Sequence, residues 1–228
     1  YLDQNAGKLY YYPRSNENMN TAFVVAPYLE TIVRMEGTID RPVSNIFFKG
    51  ISFEYTGWLR PSQSGHVPLQ AGMYLLDAYK LKTPGTADKK ALENQAWIGR
   101  PAAAVEINYA NHTSFENCRF EHLASTALDY KRGTNNNEVK GNLFKDIGGS
   151  ALLIGTFSDE AFETHHPYSP QDEREVCTDE DISNNLITDV ANEDWGCVGI
   201  GARYVKNITI EHNDVSDVYY TGISVGWG

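Results

Sequence analysis

NCRFEHLASTALDY, Asn117 to Tyr130, decides the fold, because the chain repeats it. GNLFKDIGGSALLI follows from Gly141 to Ile154, NNLITDV from Asn184 to Val190, and HNDVSDVYYTGISV from His212 to Val225. The second position of each copy is Cys118, Asn142, Asn185 or Asn213. Two residues on stands an apolar side chain: Phe120, Phe144, Ile187 or Val215. Two further on come His122, Asp146, Asp189 or Asp217, and next Leu123, Ile147, Val190 or Val218. Each copy then closes on a short apolar strand after a small or polar turn. The anchors are 24, 43 and 28 residues apart, and the 43 reads as one unit of 24 plus an insertion.

Self-similarity at this period signals a solenoid. Apolar residues alternate by two and then stop at Gly, Asn or Asp, which is a strand signal and not a helical one. Three short strands in about 24 residues make one coil of an all-β, right-handed parallel β-helix of the pectin-lyase-like kind. Coils then stack at roughly 4.8 Å, and equivalent positions form ladders along the axis. Asn142, Asn185 and Asn213 read as an inward ladder bonding backbone at a turn. Asp146, Asp189 and Asp217 read as a structural turn ladder. Coils are expected near residues 45–58, 103–130, 136–157, 179–202 and 205–228, within a single domain spanning 1–228. The NIFFKGISFEY stretch aligns Ile51, Phe53 and Tyr55 with Cys118, Phe120 and His122. Further strands are expected across Tyr1–Pro13, Ala22–Val25 and Glu30–Met35. Both ends stop without a recognisable cap, so the sequence reads as a fragment of a longer protein.

Composition narrows the partners. The net charge is −11 and the pI about 4.9, which disfavours nucleic acid and anionic membrane surfaces. Mean hydropathy is −0.44, and no apolar run approaches the length of a membrane span. Cys118, Cys177 and Cys197 are odd in number and lack C-x-x-C spacing, so neither zinc nor a disulfide framework is expected. No other cofactor or metal is expected either.

Two inserted loops break the period. Leu59 to about Pro101 is rich in Pro, Gly, Gln and Lys, and Phe157 to Thr178 holds His165-His166-Pro167 and Asp172-Glu173-Arg174. Insertions in a solenoid collect on one face and carry binding, so both are expected to project from the coils. A smaller departure, Ala191 to Trp195, lifts Glu193 and Asp194 out of the coil just before a strand.

Three segments together carry a resemblance: YLDQNAGKLYYYP at the start, HHP after the GGSALLIG coil, and HNDVSDVYYTGISVGWG at the end. They resemble bacterial parallel β-helix proteins of the glycoside hydrolase family 141 type. The resemblance covers most of the chain apart from Leu59 to Pro101. It implies a secreted or periplasmic glycosidase of plant-polysaccharide breakdown, acting on a sugar such as an α-L-fucoside or a xylan.

A glycosidase needs two carboxylates astride the bond, about 5–5.5 Å apart for retention and about 6.5–9.5 Å for inversion. Asp129 follows an apolar strand where other coils carry Leu153 or Ser224, so an acid there breaks the register. Asp194 precedes the matching strand two coils on. That spacing, roughly 10 Å or less, points to an inverting pair of Asp129 and Asp194, with Glu193 or Asp172 as substitutes. Adjacent His165 and His166 point opposite ways on an extended chain, which suits a sugar hydroxyl or a carboxylate better than one metal. Trp195, Tyr220 and Trp227 offer rings for stacking on sugar. A polysaccharide lyase needs a basic proton abstractor beside a uronate, and a non-catalytic carbohydrate-binding solenoid has little use for irregular insertions.

Overall fold

A computed structural model of the chain describes residues 1–3, 5–78, 96–156 and 170–226. Almost all of its regular structure is β, in parallel sheets. The largest sheet runs Thr221–Val225, Val198–Ala202, Leu152–Ile154, Thr126–Arg132, Ala103–Asn108, Val33–Glu36 in spatial order. A second sheet stacks Thr209–Glu211, Asp181–Ser183, Glu138–Lys140, Ser114–Glu116 and Phe47–Lys49. A third stacks Asp214–Val218, Leu186–Val190, Leu143–Ile147, Arg119–Leu123 and Ser52–Thr56. Neighbours in these three sheets come from successive repeats and pair parallel, the arrangement of a stacked solenoid. The repeat register is as the sequence reads it: Phe53, Phe120, Phe144, Ile187 and Val215 are successive partners. One earlier turn also joins, since Val33–Glu36 pairs with Ala103–Asn108 and Val43–Ser44 with Ala110–Asn111.

Three kinds of ladder hold the coils in register. Inside, Phe53, Phe120 and Phe144 stack face to face at 4.8 and 4.6 Å. Next to them runs the asparagine ladder. Asn142 Oδ1 accepts from Cys118 N, Asn185 Oδ1 from Asn142 N and Nδ2, and Asn213 Oδ1 from Asn185 N and Nδ2. The same side chains donate to the carbonyls of Phe115, Val139 and Ile182, so buried backbone groups at each turn are satisfied. Cys118 occupies the ladder position as a buried thiol. A second polar ladder lies at another corner: Asn137 Oδ1 accepts from Thr113, and Asn137 in turn donates to the carboxylate of Glu180.

The third ladder is conformational. Tyr55, His122, Asp146, Asp189 and Asp217 all have positive φ, between 49° and 61°. Each interrupts its strand, and the register skips it: Glu121 pairs with Lys145 and Leu123 with Ile147. Left-handed backbone is costly for most residues and least so for Asn, Asp and His, which accounts for the recurring Asp. Another such row joins Asn117, Asn184 and His212 with Gly50 and Gly141.

Several expectations need correction. Ala22–Val25 forms no strand, and Phe23 and Val24 are exposed. Tyr1–Pro13 does hold a strand, a turn and a strand, shorter than expected, with Leu2–Asp3 against Lys8–Leu9. The first insertion does not simply project. It opens with a short helix, Arg60–Ser64, and continues as an antiparallel sheet of Pro68–Leu69, Met73–Ala78 and Ala96–Gly99. Its Met73 and Ile98 bury against Leu153 and Val198 on the outer face of the largest sheet, with Leu69 alongside. That face carries apolar side chains, and covering them is what holds the insertion down. The second insertion ends earlier than read, because Cys177–Thr178 is a coil strand paired with Val205–Lys206. Residues 157–169, with His165 and His166, lie outside the described residues, as does Trp227.

Candidate functional site

Where the third sheet turns into the largest one, the coils present small residues: Ala124, Gly148 and Ala191 follow the strand ends Leu123, Ile147 and Val190. A Cβ on Gly148 would run into the carbonyl of Ala124. The bare glycine lets the Ala191–Trp195 loop dock, with the amides of Glu193 and Asp194 both donating to Gly148 O at 3.2 and 2.8 Å. The first insertion rises on the other side. Between them lies a cleft of about 530 Å³, lined by Thr56, Trp58, Pro61, His66, His122, Leu123, Ala124, Asp146, Gly148, Asn192 and Glu193.

Its polar groups are held in place. His66 Nε2 bonds Asp194 Oδ2 at 2.8 Å, which fixes an insertion side chain to a carboxylate that is 1% exposed. The indole of Trp58 meets the His66 ring edge-on at 4.7 Å. Across the cleft His122 Nδ1 bonds Asp146 Oδ2 at 2.6 Å, and its ring stacks on Tyr55 at 5.2 Å. Asn192 Nδ2 donates to Asp146 Oδ1 at 3.2 Å and to Asp189 Oδ1 at 3.5 Å. Glu193 is exposed to the cleft and has no side-chain hydrogen bond or ion pair among the described residues. Carboxylates, imidazoles and an indole around a half-open cleft are the equipment of carbohydrate binding and of general acid–base chemistry.

The sequence candidates divide accordingly. Glu193 is in the cleft. Asp194 is beside it but closed off, its Oδ2 taken by His66 and its Oδ1 by the amide of Gly196 at 3.1 Å. Asp129 is not in the cleft. It is fully buried on the outer face of the largest sheet, in register with Glu106 and Leu153, and its carboxylate is gripped bidentately by Arg100. Arg100 also donates to Gly155 O at 2.7 Å. Arg203 packs nearby, its guanidinium pushed down to about 9 by burial and by the charge of Arg100, against which Asp129 acts. Asp129 and Asp194 are therefore each engaged by a side chain of the first insertion, Arg100 and His66. Each neutralises a separate cation or donor of the insertion, and Asp194 sits at the corner while Asp129 is mid-strand.

Asp172 caps the short turn Glu173–Glu175 and ion-pairs with Arg174, whose guanidinium holds its carboxyl below the usual range. It lines no part of the cleft. Trp195 and Tyr220 are exposed but do not line it either. Sequence reasoning missed Trp58, His66, His122, Asp146 and Asn192. One signal was present: the turn ladder changes from Asp to His122 and Tyr55, and a tyrosine has no special claim on a left-handed turn.

No family model matches the chain, and no curated protein is similar to it. One solved structure is, with 52% sequence identity over the whole of this chain and a TM-score of 0.91. That protein is named glycoside hydrolase, and the chain spans 39% of its length.

Proposed function

We propose that the chain is the site-bearing part of a glycoside hydrolase that acts on a plant-type polysaccharide or oligosaccharide, on a right-handed parallel β-helix of the family 141 type. The observation that carries this reading is Glu193, a carboxylate exposed to a cleft walled by Trp58, His66 and His122 and without a side-chain partner among the described residues, across a corner from Asp146. A solved neighbour named glycoside hydrolase, at 52% identity, supports it. So does the charge of the lining, which among the described residues includes no Lys or Arg to neutralise a uronate. That favours a neutral sugar over the uronate a lyase acts on. A substrate of this kind, an α-L-fucoside or a xylan among them, is met outside the cytoplasm, so the protein is read as secreted or periplasmic.

In this reading Asp146, fixed by His122 and Asn192, is the acceptor that activates water, and Glu193 delivers the proton to the leaving oxygen. Asp146 stands two residues before Gly148, against which the Cβ of Glu193 packs. The test uses the full-length protein on a panel of plant glycans. Glu193→Gln and Asp146→Asn are each expected to lower kcat by at least about a hundredfold, the scale of lost acid–base catalysis, with Tm nearly unchanged. Asn tolerates the left-handed backbone at 146, so folding is not the confounder. Near wild-type turnover in both variants, or binding of glycans without hydrolysis, would overturn the assignment.

A further inference from the structure

Three consecutive residues of the Ala191–Trp195 loop reach three different places. Asn192 donates to Asp146 and Asp189, Glu193 lines the cleft, and Asp194 turns back to His66 of the first insertion. The backbone of the loop is pinned to one coil. Ala191 N donates to Gly149 O at 2.9 Å and Asn192 N to Ile147 O at 3.3 Å, while the amides of Glu193 and Asp194 share Gly148 O. Its far end is gripped by the insertion. Gly72 N donates to Gly196 O, and a Cβ on Gly196 would stand 2.5 Å from Leu69 O, so a bare glycine is what lets the insertion close on the loop. Asp194 also folds the loop on itself, its Oδ1 accepting from Gly196 N and its carbonyl from Cys197 N at 2.9 Å.

The ring of His66 is set to serve this carboxylate. The Trp58 indole meets it edge-on at 4.7 Å and the Tyr74 ring at 5.7 Å, and the Arg60 guanidinium lies over Tyr74 at 4.1 Å. Nδ1 is buried and has no hydrogen-bond partner among the described residues, so the bond the ring makes is the one from Nε2 to Asp194 Oδ2. The tautomer with hydrogen on Nε2 is the one that serves a carboxylate, and it leaves Nδ1 bare. A carboxylate that is 1% exposed loses such a donor only at a steep cost. Without His66 the relief open to Asp194 is to swing toward water, and Glu193, the next residue, moves with it.

We infer that His66, acting through Asp194, is a positioning residue for Glu193, so that a hydrogen bond from the first insertion sets where the acid stands relative to Asp146. The inference rests on the glycosidase reading of the cleft and adds to it the pair that holds the acid in place. The insertion then does more than wall the cleft, because the donor it carries completes the geometry of the reaction. Displacing a reacting group by about 1 Å is enough to cost up to about a hundredfold in rate.

The test measures kcat, KM and Tm of the full-length protein on the plant glycan it cleaves fastest. His66→Leu is expected to lower kcat at least about tenfold with KM within about threefold, the mark of an interaction lost in the transition state alone. His66→Gln, whose side-chain amide offers the same neutral donor, is expected to bring kcat back to within about threefold of wild type. On a background of Asp194→Ala, His66→Leu is expected to add less than about twofold, because the two side chains act as one. Met73→Val loosens the insertion at its apolar centre without touching the pair, and is expected to lower Tm with kcat within about twofold of wild type. A loss of kcat that follows Tm across His66→Leu and Met73→Val, no recovery in His66→Gln, or losses that multiply in the double variant would overturn the positioning role, while an inactive Glu193→Gln keeps the glycosidase reading. Wild-type turnover in Glu193→Gln would overturn both.

Discussion

Glu180 shows how a single residue of a solenoid interior sets a condition on the whole. It stands in the polar ladder where Asn137 stands one coil earlier, and it is 3% exposed. Burial raises its carboxyl to about 7, against the opposing pull of Thr134 and Asn137, which donate to it. The folded protein thus holds this proton more tightly than the unfolded chain does. Below the unfolded value near 4.5 both states are protonated and the stabilisation is fully present. As pH rises from there to about 7 the unfolded chain releases the proton first, so stability falls. The contribution lost is on the order of 3 kcal/mol. Urea denaturation at pH 5 and pH 7.5 is expected to show this fall in wild type and a flatter profile in Glu180→Gln. An equally steep profile in the variant would assign the dependence to other groups.

At the scale of the element, the backbone dictates which residue types recur. Asn184 has φ 56° on the exposed corner before the asparagine ladder. Replacing it by Gly leaves that conformation open, and a change within about 1 kcal/mol is expected. Replacing it by Val forces a β-branched residue into the left-handed region, at a cost of about 1–3 kcal/mol. Thermal melts of the pair check this, and equal midpoints would show that the corner relaxes. Such positions explain what the sequence reveals. Asn142, Asn185 and Asn213 were legible because the repeat that spaces them in the chain also stacks them in space. Asp129 was legible as an anomaly, since an acid broke an apolar register. In the structure the anomaly marks a buried partner for Arg100. His66 was illegible because its partner Asp194 lies 128 residues away, across a contact that no repeat generates. Periodicity encodes coil-to-coil neighbours. The docking of an insertion on the coils has no period, and the cleft is made by that docking.

For the whole molecule, the consequence is that the cleft wall is as stable as the attachment of the first insertion. Apolar contact of Met73 and Ile98 with Leu153 and Val198 lies at the centre of that attachment. His66–Asp194 clamps it near its start and Arg100–Asp129 near its end, with Gly72 N donating to Gly196 O at 3.0 Å between. Asp129→Asn removes the charge from a fully buried carboxylate and leaves the largely buried guanidinium of Arg100 without its counter-charge. A buried pair broken on one side costs about 3–5 kcal/mol. In a chain of 228 residues that is a fall in Tm of roughly 6–20 °C. Loss of the cleft wall would also lower activity, as would loss of a catalytic acid at Asp129, so the single variant does not separate the two. The double change Asp129→Leu/Arg100→Met does. Apolar replacement of both partners of a buried pair is often neutral or stabilising. Arg203 would lose a repulsive neighbour and an attractive one together. The double variant is expected to regain most of the lost Tm and, with the wall redocked, most of the turnover of the full-length enzyme. A double variant that melts like wild type but hydrolyses nothing would return Asp129 to the chemistry and remove it from the clamp.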